Sequence, residues 1–134
     1  MKTNYKLALT LLAGVSIGLV AARAMPAQAA KPPPGYVIAE VEPDPTKAPD
    51  PAASRRYSEE APKTMVAFGG QYLIRGGKAE SVEGEASKGR IVVIAFDSLE
   101  KAHGWYFSPA YEAIKSIRQN STKSRILLVE GVSP

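Results

Sequence analysis

An α+β sandwich in the order βαββαβ is the fold class this sequence predicts, and three observations predict it. Four short apolar segments, Gly35 to Val41, Gln71 to Arg75, Arg90 to Phe96 and Arg125 to Glu130, have strand character. Helix-start patterns follow the first and third of them, at Asp50-Pro51, Asp97 to Glu100 and Ser108-Pro109. The second segment stands between two glycine pairs, Gly69-Gly70 and Gly76-Gly77, which punctuate the chain on either side.

Gly35-Tyr36-Val37-Ile38-Ala39-Glu40-Val41 is β-branched and aromatic, with apolar residues on both parities, the pattern of a strand covered on both faces. Glu42 to Pro51 then holds Pro43, Pro45, Pro49 and Pro51, so neither a helix nor a hydrogen-bonded ladder runs through it. Asp50 caps the first helix and Pro51 takes its first position, where a missing N–H costs nothing. That helix is expected to reach about Glu60, with Pro62 kinking or restarting it so that Lys63 to Phe68 carry a second part. Gly69-Gly70 ends it, since glycine takes a positive φ without steric cost.

Strict alternation in the second strand places Leu73 and Arg75 on one face, Tyr72 and Ile74 on the other. Lys78 to Lys88 is polar and is read as holding a short edge strand around Ala79 to Glu83. Arg90 to Phe96 is the most hydrophobic part of the domain and is assigned to a central strand. Asp97 with Glu100 three residues later forms a capping-box pattern, opening a helix whose Leu99, Ala102, Trp105 and Tyr106 share a face. Ser108 caps the next helix over Pro109, carrying Tyr111, Ile114, Lys115 and Arg118 until Asn120, and Arg125 to Glu130 is the last strand.

This order is the split βαβ, or ferredoxin-like, pattern: an antiparallel sheet with helices on one face. Apolar residues on both parities leave the other face in need of cover. A second copy packing sheet to sheet is the expected cover, making the protein a homodimer.

The first 29 of the 134 residues read as a signal peptide. Lys2 and Lys6 precede an apolar run from Leu7 to Ala22, and Ala27-Gln28-Ala29 supplies a small-x-small cleavage site, with Ala24 as a second choice. This run, sixteen residues long and broken by Thr10, Ser16 and two glycines, falls short of the ~20 needed to span a bilayer, so no stable membrane anchor is expected after cleavage. Residues 30–34 form a proline-rich linker, 35–131 the domain and 132–134 a tail. The expected location is periplasmic or secreted, by the general secretory route.

The formal charge of +4 belongs mostly to the leader. Removing Lys2, Lys6 and Arg23 from the 17 basic residues leaves 14 against 13 acidic ones, a net of +1. Such a domain has no electrostatic footprint for nucleic acid. Absence of cysteine excludes disulfides, thiolate metal sites, a cysteine nucleophile and a lipoprotein anchor.

An ordered set of short motifs carries a family resemblance from Gly35 to Gly131. It comprises Gly35 to Glu40, Asp50-Pro51 with Tyr57, Phe68-Gly69-Gly70, Arg75-Gly76-Gly77 with Val82-Glu83-Gly84, Ser98 to Ala102, Trp105-Tyr106, Ser108-Pro109-x-Tyr111 and Leu128 to Gly131. The chain resembles the family called domain of unknown function 1330. That resemblance implies a dimeric α/β barrel, two ferredoxin-like protomers with sheets face to face. Relatives by fold include cofactor-free monooxygenases, lactone isomerases, haem-dependent enzymes and proteins without known activity, so fold does not choose the chemistry. The family has no established reaction. This chain departs from its pattern in a longer Glu42 to Pro49 loop and in the leader.

Candidate site residues are few. Arg75 could bind a carboxylate or enolate oxygen and Glu40 could act as base if both face one cavity; a strand-end ion pair is the competing reading. His103, the single histidine, is a candidate general base or haem ligand, set against a plain surface position off the apolar stripe. Tyr57, Trp105 and Tyr106, with Arg75, are the candidate ligand-binding residues, although aromatics at helical spacing also serve as core. The glycine pairs match no phosphate loop and Ser108 has no nucleophile elbow around it. No cofactor and no metal is expected. The function expected is binding of a small apolar or aromatic acid between sheet and helices. The alternatives are a cofactor-independent isomerase or monooxygenase-like enzyme, or a non-catalytic stress or interaction protein.

Overall fold

The computed structural model describes residues 31–133, and the signal peptide read at 1–29 lies outside the described residues. Four strands and three helices follow in the order β1 (Gly35–Pro43), α1 (Pro51–Met65), β2 (Gln71–Arg75), β3 (Arg90–Phe96), α2 (Leu99–Tyr106), α3 (Pro109–Gln119) and β4 (Thr122–Glu130). The sheet is antiparallel throughout in the order β2-β3-β1-β4, an α+β architecture compatible with the ferredoxin-like pattern. Among the described residues no helix is long and apolar enough to cross a membrane.

Local signals set most element ends. The Asp50 carboxylate accepts from the Ala53 amide at 2.9 Å, with Pro51 opening α1. The Ser108 hydroxyl accepts from the Tyr111 amide at 3.2 Å, with Pro109 opening α3. A short 3-10 turn, Val66–Phe68, ends on Gly69 in the left-handed region at φ 71°.

Four expectations are corrected. The acidic cap assigned to α2 is a serine cap: the Ser98 hydroxyl accepts from the Lys101 amide at 3.2 Å, whereas Asp97 pairs with the Lys101 ammonium at 3.3 Å. α1 does not stop near Glu60 or restart at Pro62 but runs through Pro62 to Met65, because tertiary packing of Ala61 and Met65 holds the last turn. No strand forms at Ala79 to Glu83; this segment is irregular and exposed, and the Ser81 hydroxyl lies within hydrogen-bond reach of the Glu83 and Glu85 carbonyls. A β-bulge between Tyr72 and Ile74 breaks the alternation in β2. Tyr72 pairs with Ile94 and Arg75 with Val92, which puts both on one face, while Ile74 pairs with Val93 on the other.

The core lies between the sheet and the helices. Val37, Ala39 and Val41 of β1 and Ile94 and Phe96 of β3 are buried against Ala61 and Met65 of α1, Ala102 and Trp105 of α2 and Tyr111 and Ile114 of α3. Gly35 lets β1 meet the start of α2: a Cβ there would lie 2.4 Å from the Ser98 carbonyl oxygen. The opposite face carries Ile38, Ile91 and Val93, half-buried, beside Leu127 and Val129, which are 40% and 37% exposed.

Candidate functional site

A cavity of about 60 Å³ opens between the helix-facing side of the sheet and α1, α2 and α3. Its floor is Val37, Ala39, Val92, Ile94 and Ile126, every second residue of three neighbouring strands. Trp105 forms one wall, held by its own chemistry: its indole N–H donates to the Thr64 hydroxyl at 2.9 Å, and its ring lies 4.3 Å from Tyr111 and 5.6 Å from Phe96. Tyr57 of α1 and Tyr111 of α3 meet hydroxyl to hydroxyl at 2.9 Å. Tyr106 completes the aromatic rim, with the Lys115 ammonium 4.7 Å from its ring centroid and ion-paired to Glu112.

Among the described residues three arginines line the cavity, Arg75, Arg90 and Arg118, and no carboxylate does. Among the described residues none of the three is ion-paired. Arg118 is the unusual one. It is only 7% exposed, and its Nε and Nη2 find no hydrogen-bond partner among the described residues. Burial works against its charge, but the neighbouring Tyr111, Tyr57 and Tyr106 oxygens outweigh that, so its pKa stands above the ordinary guanidinium value and it remains a cation. Burial and then the adjacent Tyr111 push the Tyr57 hydroxyl well above the usual phenol range, and burial raises Tyr72 too. The cavity therefore holds protonated phenols and uncompensated positive charge at neutral pH.

Arg75 owes its place to a proline. Pro62 lacks the N–H that would bond to the Ser58 carbonyl four residues earlier, and the Arg75 Nη2 donates to that free oxygen at 2.9 Å. Its guanidinium also lies 4.7 Å from the Tyr72 ring centroid, so it stands at the cavity edge, bracing β2 against α1.

The other sequence candidates divide. Tyr57, Trp105, Tyr106 and Arg75 all line this one cavity. Glu40 does not: its register partners Ile91 and Arg125 are on the outer face, where it accepts from the Ser87 hydroxyl at 2.7 Å. It lines a broad groove there with Ser81, Glu85, Lys123 and Arg125, and so shares no site with Arg75 within one protomer. His103 is exposed on α2, its ring 4.5 Å from Phe107 and outside the cavity. Among the described residues no group of three or more His, Cys, Asp or Glu side chains is placed to hold a metal ion.

Arg118 and Arg90 are cavity residues that site reasoning from the sequence did not single out. A signal for Arg118 was present: it falls on the Tyr111, Ile114, Lys115 stripe of α3, and a charge on a core-facing stripe needs a reason.

Comparison with solved structures places the fold among proteins of unknown function. The RPA0582 protein of unknown function from Rhodopseudomonas palustris is 18% identical with a TM-score of 0.59, over 76% of this chain and 85% of that one. The methylated RPA0582 protein gives 16% identity and 0.61, over 78% and 84%. A hypothetical Arabidopsis thaliana protein, solved in solution, gives 18% and 0.53, over 78% and 93%. No curated protein matches. A family profile described as a domain of unknown function, DUF1330, matches residues 34–132, and with that span the chain belongs to the DUF1330 family.

Proposed function

We propose that this chain is a small exported homodimeric binding protein that takes a small apolar or aromatic acid into the cavity between sheet and helices. The observation that carries the reading is the cavity itself, apolar and aromatic in its walls, with three arginines and no carboxylate. Binding without assigned catalysis is favoured because Glu40, the one proposed base on a strand, belongs to the other face of the sheet.

Dimerisation is supported by the outer face, where Ile38, Ile74, Val93, Leu127 and Val129 form an apolar surface too extensive for a face that meets only water. Export is supported by the charged, apolar and small-residue regions of the leader.

Native mass spectrometry of protein recovered from the periplasm tests all three parts. The expected result is a dimer lacking the first 29 residues and carrying a small organic acid. A monomer removes the sheet-to-sheet assembly, an intact leader removes export by cleavage, and a retained neutral or cationic molecule removes the acid.

A further inference from the structure

Arg118 is a cation 93% withdrawn from solvent, and among the described residues it has no counterion. The two nitrogens without partners, Nε and Nη2, are adjacent on the guanidinium. Nη1 lies on the side of Cδ, so the N–H groups of Nε and Nη2 project together as a two-pronged fork. Two parallel donors of this spacing match the two oxygens of a carboxylate.

A third donor stands nearby. Whichever of Tyr57 and Tyr111 donates in their 2.9 Å contact, the accepting hydroxyl keeps its own proton for another oxygen.

We infer that Arg118 is the receptor for the ligand's carboxylate, binding it side-on through Nε–H and Nη2–H, with a hydroxyl of the Tyr57–Tyr111 pair as the third donor. This rests on the cavity reading above and assigns its anion-binding residue and the charge class of its ligand.

A planar monoanion fits better than a phosphate for three reasons. Arg118 and the Tyr57–Tyr111 pair together offer one fork and one hydroxyl, fewer donors than a tetrahedral dianion requires. No lysine lines the cavity. Arg118 lies in the last turn of α3, where the carbonyl end of the helix disfavours added negative charge. By the measure in which one water needs roughly 10–15 Å³, the cavity's 60 Å³ admits a short-chain or single-ring acid. Arg75 and Arg90 share the cavity and add attraction for an anion.

Trp105, the only tryptophan, lines the cavity and reports occupancy by its fluorescence. The full chain is titrated with benzoate, propionate, benzamide and inorganic phosphate. Benzoate is expected to bind at least roughly tenfold more tightly than benzamide, which has the same ring and no charge. Arg118→Lys keeps the charge and loses the fork, and Arg118→Gln loses both; the benzoate-to-benzamide preference is expected to shrink in the first and vanish in the second.

The comparison of ligands on the unaltered chain needs no variant to fold. Equal affinity for benzoate and benzamide overturns the carboxylate receptor while leaving a ligand cavity in place. Phosphate binding more tightly than either acid overturns the planar-anion assignment. Binding of neither acid nor amide overturns both the receptor and the cavity reading. Undiminished preference in a folded Arg118→Gln protein, with an unchanged circular dichroism spectrum, moves the anion site to another residue.

Discussion

The two faces of the sheet use the same strands and reach different ends. On the helix side, Val37, Ala39 and Val41 of β1 and Ile94 and Phe96 of β3 are buried and Val92 is half-buried, apart from one cavity where arginines and tyrosines replace aliphatic packing. On the outer side, Ile38, Val93 and Leu127 are as apolar, yet they remain half-buried or exposed because no element among the described residues covers them. Stability of the protomer comes from the first face, and assembly is the proposed use of the second. Polar groups invert the picture: on the packed side Arg118 is buried with Nε and Nη2 unpartnered among the described residues, and Glu40 is hydrogen-bonded on the open side.

The largest test of this contrast is paired truncation. Phe96→Ala, which empties a position in the packed core, is expected to destabilise by about 3–5 kcal/mol in denaturant unfolding. Leu127→Ala on the outer face should cost about 1 kcal/mol or less in dilute solution. Equal costs in the two would break the distinction between the faces.

Close approach on the packed side gives the next effect. Gly35→Ala places a methyl against the Ser98 carbonyl and the Leu99 backbone, and about 1–3 kcal/mol of destabilisation is expected, read as a lowered denaturation midpoint at unchanged slope. The Ser108→Ala change removes the cap that sets Tyr111 into the cavity wall, for about 1 kcal/mol.

Alkaline titration sharpens the comparison further. The folded-state pKa of Tyr57 is raised above its unfolded value, so its contribution to stability is complete below about pH 10 and is lost as pH rises beyond that. Tyr57→Phe should therefore show a shallower fall in stability above pH 10 than the unaltered chain. An equally steep fall would assign the alkaline limb to Tyr72, which burial also raises.

Smallest in energy per protomer is the outer-face change Leu127→Asp. Light scattering is expected to show loss of the proposed dimer with the far-ultraviolet dichroism of the fold retained. A dimer that survives this change would move the interface off the sheet.

Much of the architecture was legible because it depends on neighbours in the chain. Asp50-Pro51 and Ser108-Pro109 open helices through contacts three residues long, and β3 is apolar enough to be central in any compact arrangement. Tyr57, Trp105, Tyr106 and Arg75 were legible as cavity candidates because aromatic and guanidinium groups suit such a site, and the fold brings all four together. The edge strand at Ala79 to Glu83 was misread because its polar sequence has no face to bury, so no tertiary contact rewards pairing.

Which side of the sheet each charge took was a different kind of fact. Alternation put Arg75 with Leu73, but the bulge in β2 admits one extra residue against β3 and turns Arg75 toward the helices. Whether a strand bulges depends on its pairing with a partner distant in sequence. The free Ser58 carbonyl that receives Arg75 likewise exists because Pro62, on another element, left it unbonded. Element order, caps and the apolar character of both strand parities were already set by residue type and spacing. The separation of Arg75 from Glu40, and the isolation of Arg118 among tyrosines, arose only when register and packing fixed which groups would meet and which would be left without a partner.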